Sequence, residues 1–135
     1  MANTRYPTGL QALTQGDVDF IGDTISMEMY SGAAIYDPAH QFLDDVAGTP
    51  SGSPVDLTIL SNAGGVIMAT VPPFTPAAAT SIVVVMYVNT GSPASSQLLA
   101  WLDSKADGTP LAIDGDGSTP FTLNWTGPVY SIGGL

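Results

Sequence analysis

Residues 37–46, "DPAHQFLDDV", hold the chain's single histidine and three of its twelve acidic residues. On a helix, His40 and Asp44 share a face, which suits a hydrogen bond or two ligands of one metal. A zinc site needs further nitrogen or sulfur donors. The chain has neither a second histidine nor a cysteine, so the other ligands would all be carboxylates, a poor match for zinc. The plainer reading makes Asp37 the helix cap, leaves Asp44 and Asp45 in solvent, and gives His40 a hydrogen bond at the helix edge.

Other chemistry-bearing residues resolve in the same direction. In "DGDGSTP", Asp114 and Asp116 have the spacing of the first two ligands of a calcium loop. Thr119 then stands where that loop requires glycine, and Trp125 where it requires glutamate. A turn is expected there. Nucleophilic catalysis would have to use His40 as its base, and "SGSP" and "SNAGG" lack the strand, elbow and helix around a G-x-S-x-G serine. The expectation is a protein that is not an enzyme and holds no metal or cofactor. Trp101 and Trp125 could stack on a sugar ring, although both sit in alternating runs where core packing is the simpler expectation.

The elements that would position these residues are mostly strands. Near the start, Thr8 and Gln11 have capping-box spacing, Leu10 and Leu13 share a face, and Gly16 supplies a stop, which predicts a small helix. Thr24 to Tyr30 alternates as a half-buried strand, with Ile25, Met27 and Met29 on the apolar side. Asp37 before Pro38, with Ala39, Phe42, Leu43 and Val46 at i, i+3, i+4 and i+7, predicts a second short helix. "AGTPSGSP", residues 47–54, reads as a loop.

Val55, Leu57 and Ile59 alternate into "SNAGG", and "VIMATV" returns as the second arm of a hairpin. The Pro-rich stretch 72–81 is an extended crossover, and "IVVVMYV", residues 82–88, has the β-branched density of a strand buried on both faces. "QLLAWLD", a short "LAI", "FTLNWT" and "VYSI" follow as further strands. The sum is about eight short strands and one or two short helices near the N-terminus. It predicts an all-β chain, a β-sandwich with the jelly roll among its forms, in a single domain over 1–135 preceded by an N-terminal arm at about 1–7.

Composition narrows the partners. Arg5 and Lys105 are the only strong cations in a 135-residue chain of formal charge -10, so no basic patch can neutralise phosphates and nucleic-acid binding is not expected. No signal-like or membrane-length apolar run occurs, which predicts a soluble protein made in the cytoplasm and no membrane partner. Charged residues are 10% of the chain and hydrophobic ones 44%. A surface so neutral suits burial against partners, and an all-β domain with neutral loops is the alternative.

"GLQALTQGDVDFIGDTISMEMYS", "YDPAHQFLDDV" and "VNTGSPASSQLLAWLDSKADGTPL", closed by "FTLNWTGPVYSIGGL", together resemble in order and spacing a group of small tailed-bacteriophage virion proteins. The likeness covers both ends of the chain and is weakest across residues 47–81. Val88 and Asn89 replace the group's more usual Lys-Asp. The resemblance implies a head decoration, or cement, protein on the capsid surface, synthesised in the host cytoplasm. It would bind the major capsid protein and associate with itself, as a trimer or another small ring. The polarity of the N-terminal arm and the proline content of one loop nominate Arg5, Tyr6, Pro7, Pro72, Pro73, Phe74 and Pro76 as partner contacts. The alternative is a tail or fibre component with a carbohydrate-binding β-sandwich that uses Trp101 or Trp125.

Overall fold

The computed structural model describes residues 3–105, 107–123 and 130–131. The described residues are mostly β, built into antiparallel sheets with one short N-terminal helix and no closed barrel among them. Its elements are β1 (Thr4–Arg5), α1 (Pro7–Thr14), β2 (Ile25–Ser31), β3 (Thr49–Asp56), β4 (Thr58–Ala63), β5 (Val66–Thr70), β6 (Thr80–Val88), β7 (Leu98–Leu102), β8 (Ile113–Asp114) and β9 (Tyr130–Ser131).

The β-branched run expected to sit mid-fold does so. As β6 it lies between β2 and β7 in a six-stranded sheet ordered β1-β7-β6-β2-β3, with β8 added at the start of β6. Alternate residues of β6 feed two separate cores. Val84, Met86 and Val88 pack with Ile25, Met27 and Met29 in one, whereas Val83, Val85 and Tyr87 pack with Tyr6, Tyr30 and Trp101 in the other.

That second core corrects the half-buried reading of β2. Every residue of Ile25–Ser31 is buried, because its alternation separates two interiors rather than core from solvent. Its polar side is satisfied inside: Ser26 donates from Oγ to Asp56 at 2.6 Å, and Asn89 donates to Ser26 at 3.1 Å.

Residues 47–54 are not a loop. From Thr49 they form most of β3, an outer strand of the large sheet, paired through Met29↔Ser51 and Met27↔Val55 with a register shift between. An outer strand tolerates Pro50 and Pro54 because one side of its backbone needs no ladder partner. Gly52, at φ 79, brings the backbone so close to the crossover that a β-carbon would lie 2.1 Å from the Thr75 carbonyl oxygen.

At Leu57, whose N–H donates to the Ile25 carbonyl at 2.8 Å, the chain leaves the large sheet. It continues as the β4–β5 hairpin, closed at Gly64 and Gly65 with φ 63 and 78, the two positive values that a two-residue I′ turn requires. The hairpin's inward residues Ile59, Ile67 and Ala69 pack on the first core, and β9 joins its far side at Val66↔Ser131. The crossover that follows is anchored by Phe74, which exchanges backbone hydrogen bonds of 2.8 and 2.6 Å with Phe121. The rest of "FTLNWT", from Asn124 through Thr126, lies outside the described residues.

The N-terminal helix exists, but its cap differs from expectation. Pro7 opens it after Tyr6, so Thr8 lies inside the helix and its hydroxyl donates instead to the His40 carbonyl at 2.7 Å. Gly9 and Ala12, not the Leu10 and Leu13 pair, form the buried face. Gly16 ends the helix as expected: at φ 83, it and Asp17 donate back to Leu13 and Ala12 in a Schellman motif.

The second predicted helix is absent. Residues 37–40 form a turn, Phe42 is extended at φ -116 and ψ 161, and only Leu43–Asp45 makes a 3₁₀ turn. Two competing partners explain this. The backbone of Gln41 and Leu43 is drawn into pairing with Leu98 and Ser96, at 2.9 Å in both bonds. The Asp45 carboxylate takes the N–H groups of Gln41 and Phe42, also at 2.9 Å.

Candidate functional site

With no helix at 37–46, His40 and Asp44 do not share a helix face. His40 instead approaches Asp37, its Nε2 3.9 Å from Oδ2, while Asp37 accepts the Ala39 N–H at 2.8 Å. Among the described residues no three His, Asp or Glu side chains converge in a way that could hold a metal. Asp45 does cap, though in reverse: its two backbone hydrogen bonds hold its carboxyl below the usual range.

The Asp114–Asp116 loop is a turn closed on its own donors. Asp114 accepts the Thr80 hydroxyl at 2.6 Å. Asp116 accepts the Thr119 hydroxyl and the N–H groups of Ser118 and Thr119 at 2.9 and 2.6 Å, and these bonds hold its carboxyl far below the ordinary value. Trp101 is a core residue, 3% exposed, with its indole N–H donating to Asp103 at 2.9 Å, so it offers no stacking platform. Trp125 lies outside the described residues.

The nominated contact residues divide by burial. Tyr6, Phe74 and Pro76 are buried within the chain, Arg5 and Pro72 are half-buried, and Pro7 and Pro73 are exposed. Residues 4–6 are built into the fold rather than hanging from it: Thr4 and Arg5 pair with Trp101 and Ala100, and the Tyr6 N–H donates to Leu99 at 2.9 Å.

Two surface features stand out beyond those residues. The first is the outer face of the β4–β5 hairpin, where Leu60, Val66 and Met68 are exposed; Leu60, at a register shift in β4, is 65% exposed. No Asp, Glu, Lys, Arg or His occurs anywhere from Leu57 to Leu102, so the hairpin itself carries no charge on a chain of charge -10.

The second is an open groove of about 460 Å³ between α1, the segment at Gln41 and Phe42, and the turn between β6 and β7. Gln11, Gln15, Gln41, Gln97, Thr90 and Ser95 supply much of its polar lining, and Ala12, Val18, Val88 and Phe42 its apolar parts. These residues come from separate segments with no local motif, which is why sequence reasoning passes over them.

One acid is deeply buried. Glu28, 8% exposed on the second-core side of β2, receives the Tyr87 hydroxyl at 3.4 Å. Burial pushes its carboxyl above the usual range against that hydrogen bond, and burial likewise raises Tyr30 and Tyr87.

Compared with protein-family models, curated proteins and solved structures, the chain finds no match in any of the three.

Proposed function

We propose that this chain is a structural virion protein that decorates and stabilises a tailed-phage capsid. Its partners on this reading are the major capsid protein and further copies of itself, as a trimer or small ring. The observation that carries the reading is the neutral hairpin face: an exposed apolar surface of Leu60, Val66 and Met68 within a 46-residue stretch free of charge, on an otherwise acidic chain. Such a face gains by leaving water against a partner and places no carboxylate in the contact. The remaining acids keep the protein off nucleic acid during assembly.

The architecture supports the same reading. The packing of Ile59, Ile67 and Ala69 on the first core supports reading the fold as a β-sandwich, of which the jelly roll is one form. The acids at Asp37, Asp45, Asp114 and Asp116 are engaged in holding turns, which is structural work. The role needs no catalysis, metal or cofactor. It places the protein on the capsid surface after synthesis in the host cytoplasm. Imaging intact particles with and without this protein tests the proposal. Density over the shell that vanishes with the protein is expected, and density confined to the tail would overturn it in favour of a tail or fibre component.

A further inference from the structure

All four glutamines of the chain, Gln11, Gln15, Gln41 and Gln97, line one groove between α1 and the β6–β7 turn. We propose that this groove binds a neutral saccharide, with the glutamine amides as its hydrogen-bonding set.

The chemistry of the lining selects the ligand class. The primary amides of Gln11, Gln15 and Gln41 each present donors and an acceptor side by side, the pairing that adjacent sugar hydroxyls offer in return, whereas Gln97, whose two N–H groups are taken by the Gln41 and Leu98 carbonyls, offers its Oε1 as an acceptor. Thr90 and Ser95 add hydroxyls, Asp17 and Asp23 add acceptors, and Phe42, with the edges of the buried Ala12, Val18 and Val88, provides apolar surface for the C–H face of a ring. The volume of about 460 Å³ lies within the range of small-ligand sites. Gln97 is held in place by its own Nε2, which donates to the carbonyls of Gln41 at 2.9 Å and Leu98 at 3.1 Å. Gln11, Gln15 and Gln41 are exposed, and their amides make no hydrogen bond among the described residues.

Competing ligands fit less well. Phosphate-bearing molecules would meet two carboxylates and no cation. An extended peptide would need an open backbone edge, but the main chain around the groove is already paired. The N–H groups of Leu98, Leu43, Val88 and Asn89 donate to Gln41, Ser96, Gln97 and Thr24.

The proposal holds for a protein on head or tail, so it stands or falls apart from the capsid reading. The test uses the isolated chain, ¹⁵N-labelled, titrated separately with maltotriose, cellotriose and triacetylchitotriose to about 10 mM, a range suited to millimolar affinity. At least one sugar should shift the amides of residues 8–15, 41–42 and 90–97 together with glutamine side-chain NH₂ signals. The double substitution Gln11→Ala and Gln15→Ala, at exposed positions on α1 and at its C-terminal cap, should retain the folded spectrum and weaken binding roughly tenfold or more. Absence of shifts with all three sugars would overturn the proposal. So would shifts mapping elsewhere, binding that the double variant leaves intact, or a response only to a neutral Gly-Ser peptide.

Discussion

The Tyr87 hydroxyl donates to the Glu28 carboxylate at 3.4 Å across the β2–β6 pair, inside a core that otherwise holds Val83, Val85, Leu98 and Trp101. Tyr30 and Asp56 also act on this pair, and neither carries positive charge to balance it. Glu28 therefore holds its proton more tightly folded than unfolded. The folded state gains from this below the ordinary glutamate value of 4.5 and loses the gain as pH rises through the raised folded pKa. Urea denaturation across pH should show stability falling over that interval. Glu28→Gln should remove the fall and make the protein more stable than wild type at pH 7, with little difference at pH 4. A wild-type profile flat through this interval would contradict the assignment.

The acid side behaves in the opposite sense. Asp45 is held below its usual value by the Phe42 and Gln41 N–H groups, so its contribution is present above its unfolded pKa and lost as pH falls through the folded one. Asp45→Ala leaves both N–H groups without their acceptor. It should cost about 1 kcal/mol, the scale of a lost cap, and should flatten the acid limb of the denaturation profile. It should also raise hydrogen exchange at Gln41 and Phe42 selectively.

Tyr6 and Tyr87 separate two kinds of buried hydroxyl. The Tyr6 hydroxyl is buried with no hydrogen-bond partner among the described residues, whereas that of Tyr87 is bonded to Glu28. Tyr6→Phe removes an unsatisfied group and should be neutral or stabilising by up to about 1 kcal/mol. Tyr87→Phe strips a buried carboxyl of its donor and should destabilise by about 1–3 kcal/mol at pH 7. Thermal denaturation of the two variants side by side checks the order.

Gly52→Ala should be among the most damaging single-atom additions. The residue sits at φ 79, and the added carbon would lie 2.1 Å from the Thr75 carbonyl, so both backbone and crossover would have to move. A loss of about 2 kcal/mol or more is expected by urea denaturation. The same change at Gly91, with nothing within 4 Å, meets only the conformational penalty of its φ of 87 and should cost less.

How far the fold was legible depends on whether local pattern or distant partners decided each element. β6, β7 and the β4–β5 hairpin were readable because a β-branched run and a Gly64-Gly65 turn encode them locally. Residues 37–46 were misread because Asp37-Pro38 and the Phe42, Leu43, Val46 spacing imitate a helix while Ser96 and Leu98, far along the chain, claim the backbone. Residues 47–54 carry loop composition, yet pairing with β2 made a strand of them from Thr49 onward. The two-sided burial of β2 was hidden because Ser26 and Glu28 look solvent-facing until Asp56 and Tyr87 are placed beside them. The groove left no local signal, since its glutamines meet only in three dimensions.

The hairpin face provides the most direct test of a partner surface. Leu60 and Met68 are 65% and 38% exposed, and neither belongs to the two cores, so Leu60→Asp and Met68→Asp should leave the unfolding free energy within about 1 kcal/mol of wild type. Each introduces a charge into a surface that has none from Leu57 to Leu102. If that surface is pressed against a shell, the new carboxylate must be desolvated without a partner, and affinity should fall by roughly tenfold or more. Co-sedimentation of each purified variant with capsids lacking the protein measures this. A charge at Ser118, on the exposed turn held by Asp116, serves as control and should bind as wild type. Equal binding by all variants would move the contact surface off the hairpin, whereas selective loss in the two hairpin variants would place Leu60 and Met68 within it.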